Sequence, residues 1–549
     1  MVPFNLTPFA SIVLICAIAG VLSELPDFLK FYHDPSGEGL YQNFSQLIPL
    51  NSDNFDEEVY RSRTSWLIEF YNSWCGDCHR FSPTWKKLTL DLQNWRSVVK
   101  IGAVDCTNPK NTKLCREYEI KFFPTVKYFP SYLEQKYYGL PIDNFTSMEG
   151  IKHFVIDRLR ERNNLPVLVP FNGLLEDIWS KTNASHALAV VESMSSYTGS
   201  ELVLDLIGSS ELTVLIVEPS NQRFLDSLPS MNVPAAYFIE KNGTVDTLPR
   251  FNRDEILYDV SYRLSQKGID IPQPKNYTDY DFALLTKENV DSTLNFQLRI
   301  KEKLYPKKFD STVFRVDIEG ALSQSLFIEI PSRNEISGCM LTALQNYTKI
   351  LKDYFPAGAN GKNFLRCVHV GVADQVTFSG ALFYKLVENC LNKYEPVFLP
   401  STERWIGCKG STVFFRGYPC SLWTMFHTLT VQAYVKGTDE PKDVLDGMTG
   451  YMKHFFGCSF CSRHFLKMAV TFPGNVTTTE DSVLWLWKAH NSVNRRLFGD
   501  ETEDPTHYKH QFPPKNVCKN CTAEDGMYDD EAVLPFLREM YTYISPIVG

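Results

Sequence analysis

Short apolar runs alternate with longer amphipathic stretches in the first half of the chain, and the second half changes to helical periodicity. Between about residues 40 and 162, three runs are rich in β-branched and aromatic residues: Trp66–Tyr71, Val98–Asp105 and Thr125–Phe129. Each reads as a buried strand, and the segment as a whole predicts the order βαβαββα. A helix is expected to start at Cys75 and run through Phe81 to Leu92, with a kink at Pro83. The rhythm returns between 165 and about 272, with strands at Ala187–Val191, Leu212–Val217 and Ala235–Ile239 and a helix over Gly199–Ile207. Asn242-Gly243 marks a hairpin turn. Pro272-Gln273-Pro274-Lys275 reads as a linker. Beyond it the pattern is helical from about 280 to 395, as in Met340–Tyr354, and again from Trp405 onward, where Trp, Phe and His are frequent.

The length of 549 residues fits three or four domains. With 44% hydrophobic and 22% charged residues the chain is globular. A net charge of −9 without a basic tract argues against nucleic acid and anionic membranes as partners. Phe9–Leu22 is apolar but shorter than the roughly 20 residues a membrane span needs. Together with Val21 and Ser23 ahead of Glu24, it reads as a signal peptide over residues 1–23, although the usual basic start is missing. No later stretch reads as a transmembrane helix. Secretion agrees with Asn-x-Ser/Thr triplets at Asn43, Asn144, Asn183, Asn242, Asn276, Asn346, Asn475 and Asn520. The expected localisation is the secretory pathway (ER/Golgi) and the extracellular space.

Cysteine spacing carries the chemistry. Loss of Cys16 with the signal peptide would leave thirteen of fourteen cysteines, and five pairs are local: 75/78, 106/115, 408/420, 458/461 and 518/521. Cys339, Cys367 and Cys390 form an odd remainder, so at least one is free or intermolecular. Cys75-Gly76-Asp77-Cys78 follows a strand and opens a helix, where exposed amides and the helix dipole stabilise thiolate. Cys75 is thus the attacking sulfur and Cys78 the resolving one. A zinc half-site or a turn disulfide is the plainer alternative. Asp77 has two readings: it raises the Cys75 pKa and weakens the disulfide as an oxidant, or Arg80 or His79 neutralises it. Cys106 and Cys115 flank a short loop and read as a staple. Cys518-Lys519-Asn520-Cys521 fits auxiliary redox work and simple stapling equally.

Around Cys458-Ser459-Phe460-Cys461, polar side chains recur one helical turn apart: Trp423 with His427, and His490 with Asn494. Bundle core explains some of these aromatics but not the histidines and asparagines. Zinc-ligand spacing is missing, so no metal is expected. Broad aromatic walls with a few polar anchors suit a large planar cofactor, and a flavin beside a dithiol would take its two electrons.

The N-terminal segment, with Glu69, the dithiol and Phe123-Pro124-Thr125, resembles a thioredoxin domain with its cis-proline facing the dithiol. Residues 165–272 look like a second such fold, redox-inactive for want of cysteine. The C-terminal stretch is similar to the Erv/ALR family of flavin-dependent sulfhydryl oxidases, and the fused chain to the quiescin sulfhydryl oxidase family. That resemblance implies a multidomain α/β plus all-α fold, with two thioredoxin folds followed by two helical-bundle (Erv-like) modules. Its boundaries are 36–162 for the redox-active thioredoxin domain, 165–272 for the inactive one, 280–398 for a degenerate Erv-like module without cofactor, and 402–549 for the FAD-binding module.

It implies FAD as cofactor, reduced or unfolded secretory proteins as substrates and molecular oxygen as acceptor, with H2O2 released. Arg416, Trp423, His427, His464, Trp487, His490, Asn491, Asn494 and Lys509 would contact FAD, with Phe512 where relatives carry Trp. Phe460 stands where similar proteins have a polar residue. Cys461 would lie against the flavin, Cys458 would exchange with Cys75, and Cys408–Cys420 would be structural. The first domain would swing about a hinge between Arg160 and Pro170, and the degenerate module would fill a partner's seat, giving a monomer. Two rivals remain: a disulfide isomerase without flavin, and a cysteine-stapled extracellular interaction protein.

Overall fold

A computed structural model describes residues 39–42, 44–143, 145, 147–161, 165–229, 233–271, 312–401, 403–500, 502–523 and 526–546. The signal-peptide segment, the Pro272–Lys275 linker, the start of the third module, Asn43, Asn144 and Asn276 lie outside them.

The first unit is built on β1 (Ile48–Leu50), α1 (Phe55–Val59), β2 (Ser65–Tyr71), α2 (Gly76–Asp91), β3 (Val99–Asp105), α3 (Thr112–Glu117), β4 (Thr125–Phe129), β5 (Leu140–Pro141) and α4 (Met148–Glu161). The sheet order is β1-β3-β2-β4-β5. β2 is parallel to β3 and antiparallel to β4, and every residue of it is buried. A central strand covered on both faces must be apolar at consecutive positions, and Trp66-Leu67-Ile68 satisfies this. Glu69 is the one charged residue of the strand. The unit has four helices where the expected order βαβαββα holds three; α1 and α3, five and six residues long, are too short for a periodic signal of their own. Pro83 lies inside α2.

The second unit comprises β6 (His186–Val191), α5 (Thr198–Asp205), β7 (Leu212–Val217), α6 (Gln222–Leu225), β8 (Ala235–Glu240), β9 (Val245–Thr247) and α7 (Arg253–Ser265). Its sheet, β7-β6-β8-β9, has one parallel pair and then two antiparallel ones, the same polarity as β3-β2-β4-β5. Gly243, at φ +93° in the β8–β9 turn, occupies a backbone region that side chains disfavour. A cis-proline precedes the strand that pairs antiparallel with the central strand of each sheet, Pro124 before β4 and Pro234 before β8.

Buried charges join the two sheet units. Arg253 donates from Nε to Asp205 (2.7 Å) and from Nη1 to Asp91 (2.9 Å), and Lys152 lies 3.2 Å from Asp91 and 3.4 Å from Glu201. Trp95 Nε1 also donates to Asp205 at 2.8 Å. At the end of α4, Arg160 donates to the carbonyls of Met194 and Ser196 and to Ser200 Oγ, so the first residue of the expected hinge is fastened to the second unit.

The helical half contains α8 (Arg315–Gln324), α9 (Gly338–Tyr354), α10 (Ala359–Ala373), α11 (Gly380–Tyr394), α12 (Gly417–Lys436), α13 (Asp443–His454), α14 (Ser459–Ala469), α15 (Thr479–Leu497) and α16 (Asp530–Thr542), with a short helix, Phe472–Asn475, before α15. α8 packs on α12 and α9 on α13, so the segments on either side of residue 400 share one core. Disulfides join Cys106–Cys115, Cys367–Cys390, Cys408–Cys420, Cys458–Cys461 and Cys518–Cys521. The odd trio therefore resolves into a staple between α10 and α11 and a free, exposed Cys339. No helix among the described residues is long and apolar enough to cross a membrane.

Candidate functional site

Cys75 is the N-cap of α2, where the strand-to-helix turn leaves backbone amides without helical partners. Both Cys75 and Cys78 are buried thiols. Burial, reinforced by the neighbouring Cys75 and Glu69, pushes the Cys78 thiol well up. Beneath the pair, Glu69 is wholly buried, and burial raises its carboxyl to about 8 against the hydrogen bond that Tyr41 donates to it. Its Oε1 has no partner.

The second dithiol meets the first. Cys458 is the N-cap of α14 and is bonded to Cys461. Cys75 Sγ is 3.7 Å from the Phe123 carbonyl, and the Phe123 N–H donates to the Gly457 carbonyl at 2.9 Å. Phe123 and Cys458 thereby pair as a parallel bridge, so the cis-proline loop and the Cys458 loop share backbone bonding across 335 residues of sequence (458 minus 123). Trp74 packs on Tyr418 and Phe456, with ring centroids 5.2 and 5.3 Å away.

A third segment supports this junction. Arg333 donates to the Lys121 carbonyl (2.7 Å), the His454 carbonyl (2.9 Å) and the Phe455 carbonyl (2.9 Å). Glu329, raised to about 7 by burial against the pull of Arg333, accepts from the Gly457 N–H at 3.0 Å. No motif in the sequence marks this segment for chemistry. Two charges in an otherwise apolar stretch were the one available signal.

The other expected side chains gather in two places. Trp423 stacks on His490 (4.2 Å between centroids, 8° between planes), and His427 Nε2 lies 3.0 Å from His490 Nδ1. Burial keeps both rings neutral, lowering His427 to about 3 and His490 well below its ordinary value. One face of α15 grips the 510–512 segment. Asn491 and Phe512 exchange two hydrogen bonds (2.7 and 2.8 Å), Trp487 Nε1 donates to the Phe512 carbonyl (2.5 Å), and Asn494 donates to the His510 carbonyl (2.9 Å). His464 lies apart from that cluster, with its ring 4.3 Å from Phe460.

Arg416 and Lys509 are both half-buried, and desolvation together with the nearby Arg416 charge depresses Lys509. Arg416 Nε and His427 Nδ1 are buried without a partner. Two half-buried cations with an orphaned buried donor, beside stacked rings, fit a cofactor that combines a diphosphate with a flat ring system. No group of His, Cys, Asp and Glu among the described residues is arranged to hold a metal ion.

A buried dithiol on a strand–helix turn, its cis-proline loop bonded to the loop of a second cysteine pair in a helical module that also carries an aromatic and cationic cluster, marks a thiol–disulfide oxidoreductase. Comparison with known proteins makes this specific. Three family models match: thioredoxin over residues 46–143, FAD-dependent sulfhydryl oxidase over 310–411 and the Erv1/Alr family over 420–513. Sulfhydryl oxidase 1 of Gallus gallus is 32% identical over 518 residues, covering 92% of this chain and 68% of its own. Sulfhydryl oxidase 2 of Homo sapiens is 32% identical, covering 90% of this chain and 71% of its own. The solved sulfhydryl oxidase fragment of human QSOX1 is 38% identical over 42% of this chain and 96% of its own, with a TM-score of 0.40. The chain belongs to the quiescin-type sulfhydryl oxidases, in which a thioredoxin domain is fused to an Erv/ALR-type FAD domain. It is an FAD-dependent thiol oxidase that forms disulfides with dioxygen as acceptor.

Proposed function

We propose that electrons pass from a client dithiol to Cys75/Cys78, then to Cys458/Cys461, then to FAD. A client thiolate attacks the Cys75–Cys78 disulfide and leaves as a client disulfide, returning two thiols. Cys75 thiolate then attacks Cys458, and the Cys461 thiolate departs. Cys78 attacks Cys75 in the resulting Cys75–Cys458 bond and frees Cys458. Two electrons move at each exchange and no outside oxidant is consumed. Glu69, with a carboxyl near 8, is the group beside Cys78 that can take its proton. The Cys458/Cys461 dithiol would give its electron pair to bound FAD, whose chemistry would supply transfer to dioxygen with release of H2O2.

Arg416 and Lys509 would hold the diphosphate, and Trp423, His427, Trp487, His490, Asn491, Asn494 and Phe512 the rings. His464 would lie near the dithiol end. All of these follow residue 415, which favours a flavin site in 402–549 and a module without cofactor in 280–398, although the FAD-dependent sulfhydryl oxidase model matches 310–411. The 36–162 unit is then the redox-active thioredoxin domain. The matched sheet polarity supports a second, redox-inactive thioredoxin fold at 165–272. Cys106–Cys115 and Cys408–Cys420 serve as staples, and Cys518–Cys521 as a staple or auxiliary couple. Clients are reduced secretory proteins, the enzyme works in the secretory pathway and outside the cell, and it is a monomer. Asn183, Asn242, Asn346 and Asn475 are exposed, as glycan acceptors must be, whereas Asn520 lies inside the bonded Cys518–Cys521 pair.

The observation that carries the route is the backbone pairing of Phe123 with Cys458. The test is a Cys78→Ser/Cys461→Ser double variant treated with oxidised glutathione, in which Cys458 attacks the Cys75–glutathione mixed disulfide, glutathione thiolate leaves, and Cys75 stays bonded to Cys458. Mass spectrometry should recover that cross-linked peptide, and its absence from folded, flavin-loaded protein would overturn the route.

A further inference from the structure

The residues inside the two Cys-x-x-Cys motifs touch each other through one side chain. Arg80, on the first turn and a half of α2, donates from Nη2 to Asp77 at 2.5 Å and from Nη1 to Asp500 at 3.4 Å. Its guanidinium carbon is 4.5 Å from the centre of the Phe460 ring, and that of Arg496 is 5.2 Å from the same ring. Asp500 is itself fixed by the N–H and hydroxyl of Thr502, at 2.9 and 2.6 Å, and Thr502 borders Gly76. Two arginines and two aspartates thus interleave around one aromatic ring, each domain supplying one of each sign.

The pairing joins the interior of one motif to that of the other, Asp77 in the first and Phe460 in the second. An aromatic residue there gives the flat face on which a guanidinium gains cation–π energy, and Asp77 orients the guanidinium from behind. The side chains of Arg80, Asp77 and Asp500 are 25%, 18% and 28% exposed, so the cluster forms a rim around the buried sulfurs and not part of either core. A free client dithiol brings no such arginine.

We propose that Arg80 is the positioning residue by which the second dithiol recognises its own thioredoxin domain: Arg80 stacks on Phe460 and pairs with Asp500, aligning Cys75 with Cys458 and favouring transfer within the chain over direct attack by clients. This rests on the two-dithiol route. The bond changes are those already written, Cys75 to Cys458 forming as Cys458 to Cys461 breaks, so Arg80 changes the population of the aligned complex and not the chemistry.

The experiment is anaerobic stopped-flow on the flavin-loaded enzyme, following flavin bleaching after mixing with reduced, unfolded ribonuclease A. Arg80→Ala should slow bleaching about tenfold, and Phe460→Ser should do the same from the other side of the contact. The combined variant should be no slower than either alone, because one contact is removed twice. In a Cys75→Ser background, where dithiothreitol can reach only Cys458–Cys461, adding Arg80→Ala should change bleaching by less than twofold. Removal of Arg80 also exposes the charge of Asp77 to the first dithiol, whereas Phe460→Ser leaves that pair intact. Equal slowing by both variants therefore isolates the contact. Wild-type bleaching in Phe460→Ser, multiplicative slowing in the double variant, or equal slowing of the dithiothreitol reaction would overturn the assignment. Should Arg80→Ala lose its flavin, Arg80→Lys replaces it, keeping charge without a flat face, and an expected slowing of about threefold is read in the same way. Unimpaired bleaching by ribonuclease in Cys75→Ser would instead sink the two-dithiol route itself.

Discussion

Arg253→Met tests the mount that holds the first dithiol domain to the second sheet unit. The guanidinium bonds Asp205 through Nε (2.7 Å) and Nη2 (2.8 Å) and Asp91 through Nη1 (2.9 Å), and the Asp205 side chain is fully buried. Methionine fills similar space without charge, leaving Asp205 with the Trp95 N–H alone. Breaking one side of a buried ion pair costs roughly 3–5 kcal/mol. At 1.36 kcal/mol per decade, that is about two to three and a half orders of magnitude in the opening equilibrium. Native-state hydrogen exchange reads this directly, through amides of α5 and α7 that open when the interface does. The loss should deepen as pH rises from 4 to 7, because burial has already raised the Asp205 carboxyl and at low pH a protonated Asp205 tolerates the missing partner. The Asp205→Asn/Arg253→Met double variant should recover most of the protection. If Arg253→Met changes exchange less than fivefold, or if Asp205→Asn fails to rescue it, the buried pair is not what fastens the two units.

Glu69→Gln removes the carboxyl beneath the dithiol. The wild-type carboxyl stays protonated up to about 8, so the step in which Cys78 acts as nucleophile should speed up as pH climbs to that value. The variant should lose this limb and run roughly a hundredfold slower; an unchanged pH–rate profile for client oxidation would exclude the role. Arg333→Met takes the donor from three carbonyls and the counter-charge from Glu329, which should lower stability by about 3 kcal/mol in denaturant titration and raise the Glu329 carboxyl above its value of about 7. A midpoint shift worth less than about 1 kcal/mol would show that the carbonyls find other donors. His427 is held near 3 by burial, whereas an unfolded histidine titrates near 6.5. Its stabilising contribution is therefore full above pH 6.5 and falls by about 1.4 kcal/mol per unit as pH drops toward 3. Melting curves of the helical half at pH 7.5 and 5.5 measure the loss, and His427→Gln should reduce the difference between them.

What the sequence discloses and what it withholds divide by distance along the chain. β2 was legible because full burial makes its composition nearly uniform, and the observed strand, Ser65–Tyr71, begins one residue before the expected Trp66. The start of α2 was legible because a cysteine pair after a strand is a local pattern, complete within five residues. The hairpin at Asn242-Gly243 was legible for the same reason, since its backbone demand falls on one glycine. Cys367 and Cys390 are 23 residues apart on two different helices, and only the packing of α10 on α11 distinguishes that pair from the two others possible with Cys339. The junction is the extreme case: Arg80 meets Asp500 across 420 residues, and Arg333 meets Lys121 across 212. No periodicity marks such residues, and a charged side chain on a helix reads as a solvated one until its partner is in place.

The same reasoning accounts for the segments without chemistry of their own. The cysteine-free sheet unit keeps Asp205 and Arg253, and the module before residue 400 keeps Glu329 and Arg333; in both places burial of charge has been retained where an apolar core would be easier to build. Buried ion pairs contribute little net stability compared with apolar replacements, but they fix which surfaces meet. Both sets of buried charge lie where the dithiol domain touches a neighbour, the first on its mounted face and the second, bonded to backbone carbonyls and an amide, beside its reactive loop. Transfer between two sulfur couples demands atomic register at an interface that must also release, and directional charged contacts supply register without the large apolar area that would make release slow.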